Sequence, residues 1–163
     1  MTRRNQLRLI FHGALVLTLS MLVETPGLWF AFTHHPDNLV RFYLKQAHSV
    51  LMVTGIWMIA TGMALPLLEL TARGVTWLAW SLVLTAYTFA AAVGIFIAEL
   101  ARLHLPPEQY KDQLDQLHQM PSYVQWINIS CLVVTGTTSL IAGVLIIRGA
   151  FMAMRHSPID EIH

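Results

Sequence analysis

Four apolar stretches, each longer than the roughly 20 residues a helix needs to cross hydrocarbon, make up most of this chain. They lie at about 9–32, 48–68, 75–98 and 124–152. In lipid every backbone N–H and C=O must be paired within its own segment, so stretches of this kind fold as helices. The expectation is an all-α integral membrane four-helix bundle, filling residues 1–163 as a single domain. The bilayer also changes the weight of a polar residue. An ionisable side chain in mid-membrane costs about 2.5–3.5 kcal/mol unless it is paired. The few that occur inside these stretches are the first places to look for function.

The bulk numbers exclude several classes. At 55% hydrophobic and 12% charged, the chain leaves no room for a sizeable soluble domain. A formal net charge of +1, with basic residues scattered, offers no phosphate-binding patch and so no nucleic-acid partner. The single cysteine, Cys131, rules out an intramolecular disulfide. The basic start, Thr2-Arg3-Arg4-Asn5-Gln6-Leu7-Arg8, resembles that of a signal peptide, but the apolar run behind it is too long and lacks a small-x-small cleavage site. It reads as a retained first helix. Arg3, Arg4 and Arg8 set the orientation, which places both termini in the cytoplasm and the protein in a bacterial inner membrane.

Along the chain, Thr25-Pro26-Gly27 interrupts the first helix, and a kink is expected near Glu24. Gly55 and Gly62 on the second helix permit close helix approach. A tight turn at Thr71-Ala72-Arg73-Gly74 predicts an antiparallel hairpin of helices two and three. The long third connection holds Pro106-Pro107 followed by Tyr110, Leu114 and Leu117 on one face, which predicts an interfacial helix over about 107–119. The fourth helix carries Asn128, Ser130, Thr135, Gly136, Thr137, Thr138, Ser139 and Gly143, the small and polar types that membrane helix interfaces use.

Few residues could carry chemistry. His48 is a candidate metal or haem ligand, or else an interfacial histidine bonded to the preceding loop. His12 should lie toward the opposite membrane face and reads as a packing group. Glu24, at a depth close to that of Thr54, is either an acid–base group or a protonated carboxyl bonded to carbonyls freed by Pro26. Thr85, Tyr87 and Thr88 either line a cavity or bond back to their own helix. His34-His35 has no third ligand at useful spacing, and the methionines read as packing.

Three stretches, His12-Gly13-Ala14-Leu15, Gly27-Leu28-Trp29 and Ala47-His48-Ser49 with Gly55 seven beyond the histidine, resemble the small four-helix membrane isomerases, styrene oxide isomerase and hydroxylaminobenzene mutase. The resemblance covers most of the chain. It implies a homotrimer with haem b between subunits and His48 as the axial ligand to ferric iron, with Ser49 and Gly55 beside it. Iron acting as a Lewis acid would rearrange a small apolar aryl epoxide or hydroxylamine with no net redox change. The substrate side departs from the family pattern. Thr54 stands where the epoxide isomerases carry asparagine, and Thr85 and Val93 stand where they carry a carboxylate and a tyrosine. Glu24, Thr54 and the nearby aromatic Tyr87 are then the catalytic candidates. The alternative is a non-catalytic haem-binding or structural membrane subunit.

Overall fold

The computed structural model describes residues 2–33, 39–103 and 121–156, with side chains described for 3–23, 44–99 and 121–155. Four helices follow in order: α1 (Thr2–Thr33), α2 (Leu39–Ala64), α3 (Ala72–Leu103) and α4 (Ser122–His156). Each is long and apolar enough to cross a bilayer, and no strand occurs among the described residues. The fold is an all-α four-helix membrane bundle. α1, α3 and α4 run past both ends of their apolar stretches, whereas α2 starts early and ends at Ala64, inside its stretch. A helix does not stop where the hydrocarbon does, because flanking polar residues extend it through the interface. The largest difference is in α2, which starts at Leu39, so His48 lies well inside the helix rather than at its opening. α1 runs unbroken through Thr25-Pro26-Gly27. The interfacial helix expected over 107–119, His34-His35 and the C-terminal tail lie outside the described residues.

The helices associate chiefly as two pairs, α1 with α2 and α3 with α4, and α3 also touches the first pair. The predicted hairpin of α2 and α3 is thus a chain connection more than a packing unit. α1 and α2 owe their closeness to two glycines facing each other. A Cβ on Gly13 would lie 2.8 Å from the Gly55 carbonyl oxygen, and one on Gly55 would lie 2.9 Å from that of Gly13. Gly62 extends the seam toward Gln6 and Ile10. Only residues without a side chain let two backbones approach so far.

α3 and α4 are joined by hydroxyls. Thr85 and Thr138 lie 2.8 Å apart, Thr88 and Thr135 2.7 Å apart, and Ser139 donates to Thr85 at 3.4 Å. Thr85 and Thr138 also reach the carbonyls of Ser81 and Val134 on their own helices. A hydroxyl has one proton, so in this pair one proton returns to the helix while the other crosses. Back-bonding, one of the two expected readings of Thr85 and Thr88, therefore holds, and each hydroxyl also meets one on α4.

The core is a column of Leu9, Val16, Leu51, Met58, Leu78, Leu82 and Ala86. Below it, Leu65–Leu67 forms a 3₁₀ turn, and the Glu69 N–H donates to the Gly149 carbonyl at 3.2 Å. Thr71 then caps α3 by accepting from the Gly74 N–H at 3.2 Å. The turn expected over 71–74 thus falls earlier, and Arg73 and Gly74 form the first turn of α3. Aromatic rings mark both rims: Trp77 and Trp80 at the start of α3, with the Arg8 guanidinium 5.9 Å from the Trp80 ring, and Tyr123 and Trp126 at the start of α4.

Candidate functional site

His48 is half-buried on the side of α2 that faces α1. Its Nδ1 lies 3.0 Å from the backbone carbonyl oxygen of Ser20. A carbonyl can only accept, so Nδ1 carries the proton and the ring's lone pair falls on Nε2. A histidine whose Nδ1–H is held by a carbonyl is the usual arrangement of a metal-bound imidazole, because that bond fixes both tautomer and ring plane. Nδ1 thus bonds a neighbouring helix, while the connection before α2, residues 34–38, lies outside the described residues. Ser20 is fully buried and its own hydroxyl donates to Leu17.

The residues expected beside His48 have other duties. The Ser49 hydroxyl donates to the Lys45 carbonyl at 3.0 Å. Gly55 makes the close helix approach expected of it, with the Gly13 carbonyl and Leu17 of α1 against it. It sets the distance between the helices that carry His48 and Ser20. Among the described residues no group of three or more His, Cys, Asp or Glu side chains could hold a bare metal ion. A macrocycle that brings its own four nitrogens needs only one or two protein ligands, so His48 as a lone ligand suits haem better than a free ion.

The three catalytic candidates do not converge. Tyr87 faces α1, where its hydroxyl lies 3.0 Å from His12 Nδ1, and the two rings meet edge to face with centroids 5.7 Å apart. His12 is therefore a partner of α3. It lies eight residues from Ser20 along α1, an axial offset from His48 of about 12 Å at 1.5 Å per residue. The Thr54 hydroxyl donates to the Val50 carbonyl at 2.7 Å. The side chain of Glu24 lies outside the described residues, but its place on α1 corrects one expectation. Because Ser20 stands opposite His48 and the helices are antiparallel, Glu24 and Thr54 lie on opposite sides of that level. Their offset along the axis is about 15 Å, so they do not share a depth. The early start of α2 shifts the register and separates them.

A cavity of about 350 Å³ lies on a different side of α2, between α2, α3 and α4. Its walls are Ala47, Val50, Phe89, Ala92, Val93, Phe96 and Leu132, with Gln46 and Asn128 as the polar residues. Val93 thus lines a cavity, whereas Thr85 is buried in the α3–α4 hydroxyl contact. Sequence reasoning placed Asn128 among packing residues. The available signal was a carboxamide inside an apolar stretch, which is costly in a membrane unless it is paired.

The fold and the carbonyl-held histidine define a four-helix integral membrane protein with one candidate axial ligand. The chain belongs to the styrene oxide isomerase family, which it matches over residues 5–151. Comparison with curated proteins and with solved structures finds no match. The family is one of membrane isomerases, in agreement with the resemblance seen around His12, Gly27 and His48.

Proposed function

We propose that this protein is a haem-dependent membrane isomerase or mutase acting on a small apolar aryl epoxide or hydroxylamine. The observation that carries the reading is the Nδ1–H bond of His48 to the Ser20 carbonyl, in a chain of the styrene oxide isomerase family. His48 would hold haem b through Nε2. Bound ferric iron supplies a Lewis acid that can stabilise charge developing on the substrate oxygen. The chain's own contribution is positional. The Gly13–Gly55 contact fixes the spacing of α1 and α2, and that spacing fixes the His48 ring. The apolar interior keeps water from a carbocation that water would otherwise trap. Glu24, Thr54 and Tyr87 remain the catalytic candidates of this reading. Given their separation, a second subunit would have to complete the substrate side, as a homotrimer allows. The exposed face of α4 around Gly136 and Gly143, with nothing within 4 Å of either glycine, is available for that contact. Arg3, Arg4 and Arg8 before α1 support a cytoplasmic position for both termini, and the membrane in this reading would be a bacterial inner one.

The test is conversion of styrene oxide to its aldehyde by purified protein in nanodiscs, with no electron donor present. Turnover under those conditions, lost on His48→Ala, is the expected result. Turnover that needs an electron donor, or that survives His48→Ala unchanged, would refute the assignment. A haem-bound protein inactive on both epoxide and hydroxylamine would favour the non-catalytic alternative.

A further inference from the structure

All six arginines with described side chains lie at one end of the bundle: Arg3, Arg4 and Arg8 at the start of α1, Arg73 at the start of α3, and Arg148 and Arg155 toward the end of α4. Scattered in sequence, they suggest no phosphate-binding patch, but the Asn5–Thr76 and Glu69–Gly149 hydrogen bonds bring their helix ends together. Glu69 is the one carboxylate described at that end, whereas Lys45 and Glu99 stand at the other. Two of the arginines share the seam between α1 and α3. Asn5, only 4% exposed, donates to Thr76 at 3.3 Å and accepts from Arg8 at 3.4 Å. Arg8 is half-buried, three residues deeper than Asn5, with its guanidinium 5.9 Å from the Trp80 ring. Arg73 lies three residues before Thr76, on the same face of α3, and is exposed. α1 and α3 run in the same direction, so the two arginines bracket the Asn5–Thr76 contact, about 9 Å apart along the axis at 1.5 Å per residue. One turn deeper, Phe11 and Leu84 follow Arg8 and Trp80 on the same faces, and both are exposed.

We propose that this seam binds one anionic glycerophospholipid, with its phosphate held between Arg8 and Arg73 and an acyl chain laid along Phe11 and Leu84. A half-buried guanidinium at the edge of the hydrocarbon is costly without an anion, and neither Asn5 nor Trp80 supplies one. Asn5 takes one of the N–H donors of Arg8 and, with the Trp80 ring, orients the group. The remaining donors form a planar fork that matches phosphate oxygens. The lipid is anionic because a choline or ethanolamine headgroup would bring a cation to an end already rich in arginine. Ser20, which holds His48, lies twelve residues beyond Arg8, about 18 Å along α1. The lipid site is therefore apart from the candidate haem ligand, and the proposal stands whether or not the chain is an isomerase.

The matched probes are dioleoylphosphatidylglycerol and dioleoylphosphatidylcholine, which share their chains and differ in headgroup charge. Each is titrated into the detergent-solubilised full chain, and native mass spectrometry counts the lipid bound per subunit. Wild type is expected to bind its first phosphatidylglycerol about tenfold more tightly than phosphatidylcholine. Arg8→Gln and Arg73→Gln should each remove most of that preference, and Arg73→Gln, at an exposed position, decides should Arg8→Gln fail to fold. Arg148→Gln removes the same charge from the same end, but on α4, and should keep the preference. A wild type without preference, or a preference that persists in the folded Arg8 and Arg73 variants, would overturn the proposal. Equal loss in all three variants would overturn it as well, because it would mean a diffuse field rather than a site. So would displacement of the lipid by an equal concentration of glycerophosphoglycerol, the same headgroup without chains, because the arginines would then take a soluble phosphate.

Discussion

The close approach of α1 and α2 at Gly13 and Gly55 gives the most quantitative prediction. A Cβ added to Gly55 would lie 2.8 Å from Leu17 Cγ, 2.9 Å from the Gly13 carbonyl oxygen and 3.1 Å from the Leu17 backbone nitrogen. Leu17 can rotate away, but the two backbone atoms move only with their helix. Restoring ordinary contact requires α1 and α2 to part by about 0.5 Å, and a gap of that size forfeits a quarter or more of each dispersion contact along the seam. Overpacking of this kind costs about 1–3 kcal/mol. Alanine returns up to about 1 kcal/mol of helix propensity. Taking a mid-range cost of about 2 kcal/mol less about 1, Gly55→Ala should therefore destabilise the fold by about 1 kcal/mol net. Gly13→Ala should act alike, since its Cβ would meet the Gly55 carbonyl at 2.8 Å. Because either methyl forces the same separation, the double variant should lose clearly less than the sum of the two. Unfolding in mixed micelles titrated with dodecyl sulfate, followed by circular dichroism, measures all four species. Single variants as stable as wild type, or strictly additive losses, would refute the close-contact argument. The same separation would stretch the 3.0 Å bond from His48 to Ser20, so both variants should also weaken whatever His48 binds.

Other outcomes follow from the same geometry. Gly136→Ala adds a methyl where nothing lies within 4 Å, so monomer stability should hold or rise; a fall in native mass-spectrometric trimer would then mark this face of α4 as the subunit contact. Thr138→Val removes the partner of Thr85 across the α3–α4 seam, but Thr85 keeps the Ser81 carbonyl, so the loss should be about 0.6–1 kcal/mol in the same unfolding assay. Tyr87→Phe frees His12 Nδ1 and should cost about 1 kcal/mol of stability, measured the same way, without changing any ligand bound at His48.

The number and character of the helices were legible because apolar length is a direct physical signal in a membrane protein. Gly55 and Gly62 were legible as close-approach sites for the same reason, since small residues have few other uses on a membrane helix. Their partners were not, because an interhelical register cannot be read from one helix alone. Arg41 and Lys45 interrupt the apolar run and hid the true start of α2 at Leu39. That shift moves His48 inward to Ser20 and places Glu24 and Thr54 at different depths. His12 was legible as a packing group, while its partner Tyr87 needed the α1–α3 contact to be seen. Asn128 was hidden by company, one amide among hydroxyls that do serve packing, and only its unmet Nδ2 sets it apart.

The central claim is that His48 is an axial haem ligand held by Ser20, and the visible spectrum of the detergent-purified protein tests it most directly. After haem supply, wild type should show a Soret band. His48→Ala should lose it while keeping its helical circular dichroism, and His12→Ala should retain it, because His12 is engaged by Tyr87 about 12 Å away along the bundle axis. A band that survives in the His48 variant and disappears in the His12 variant would contradict the assignment, and a wild-type protein with no band would remove haem from the account altogether.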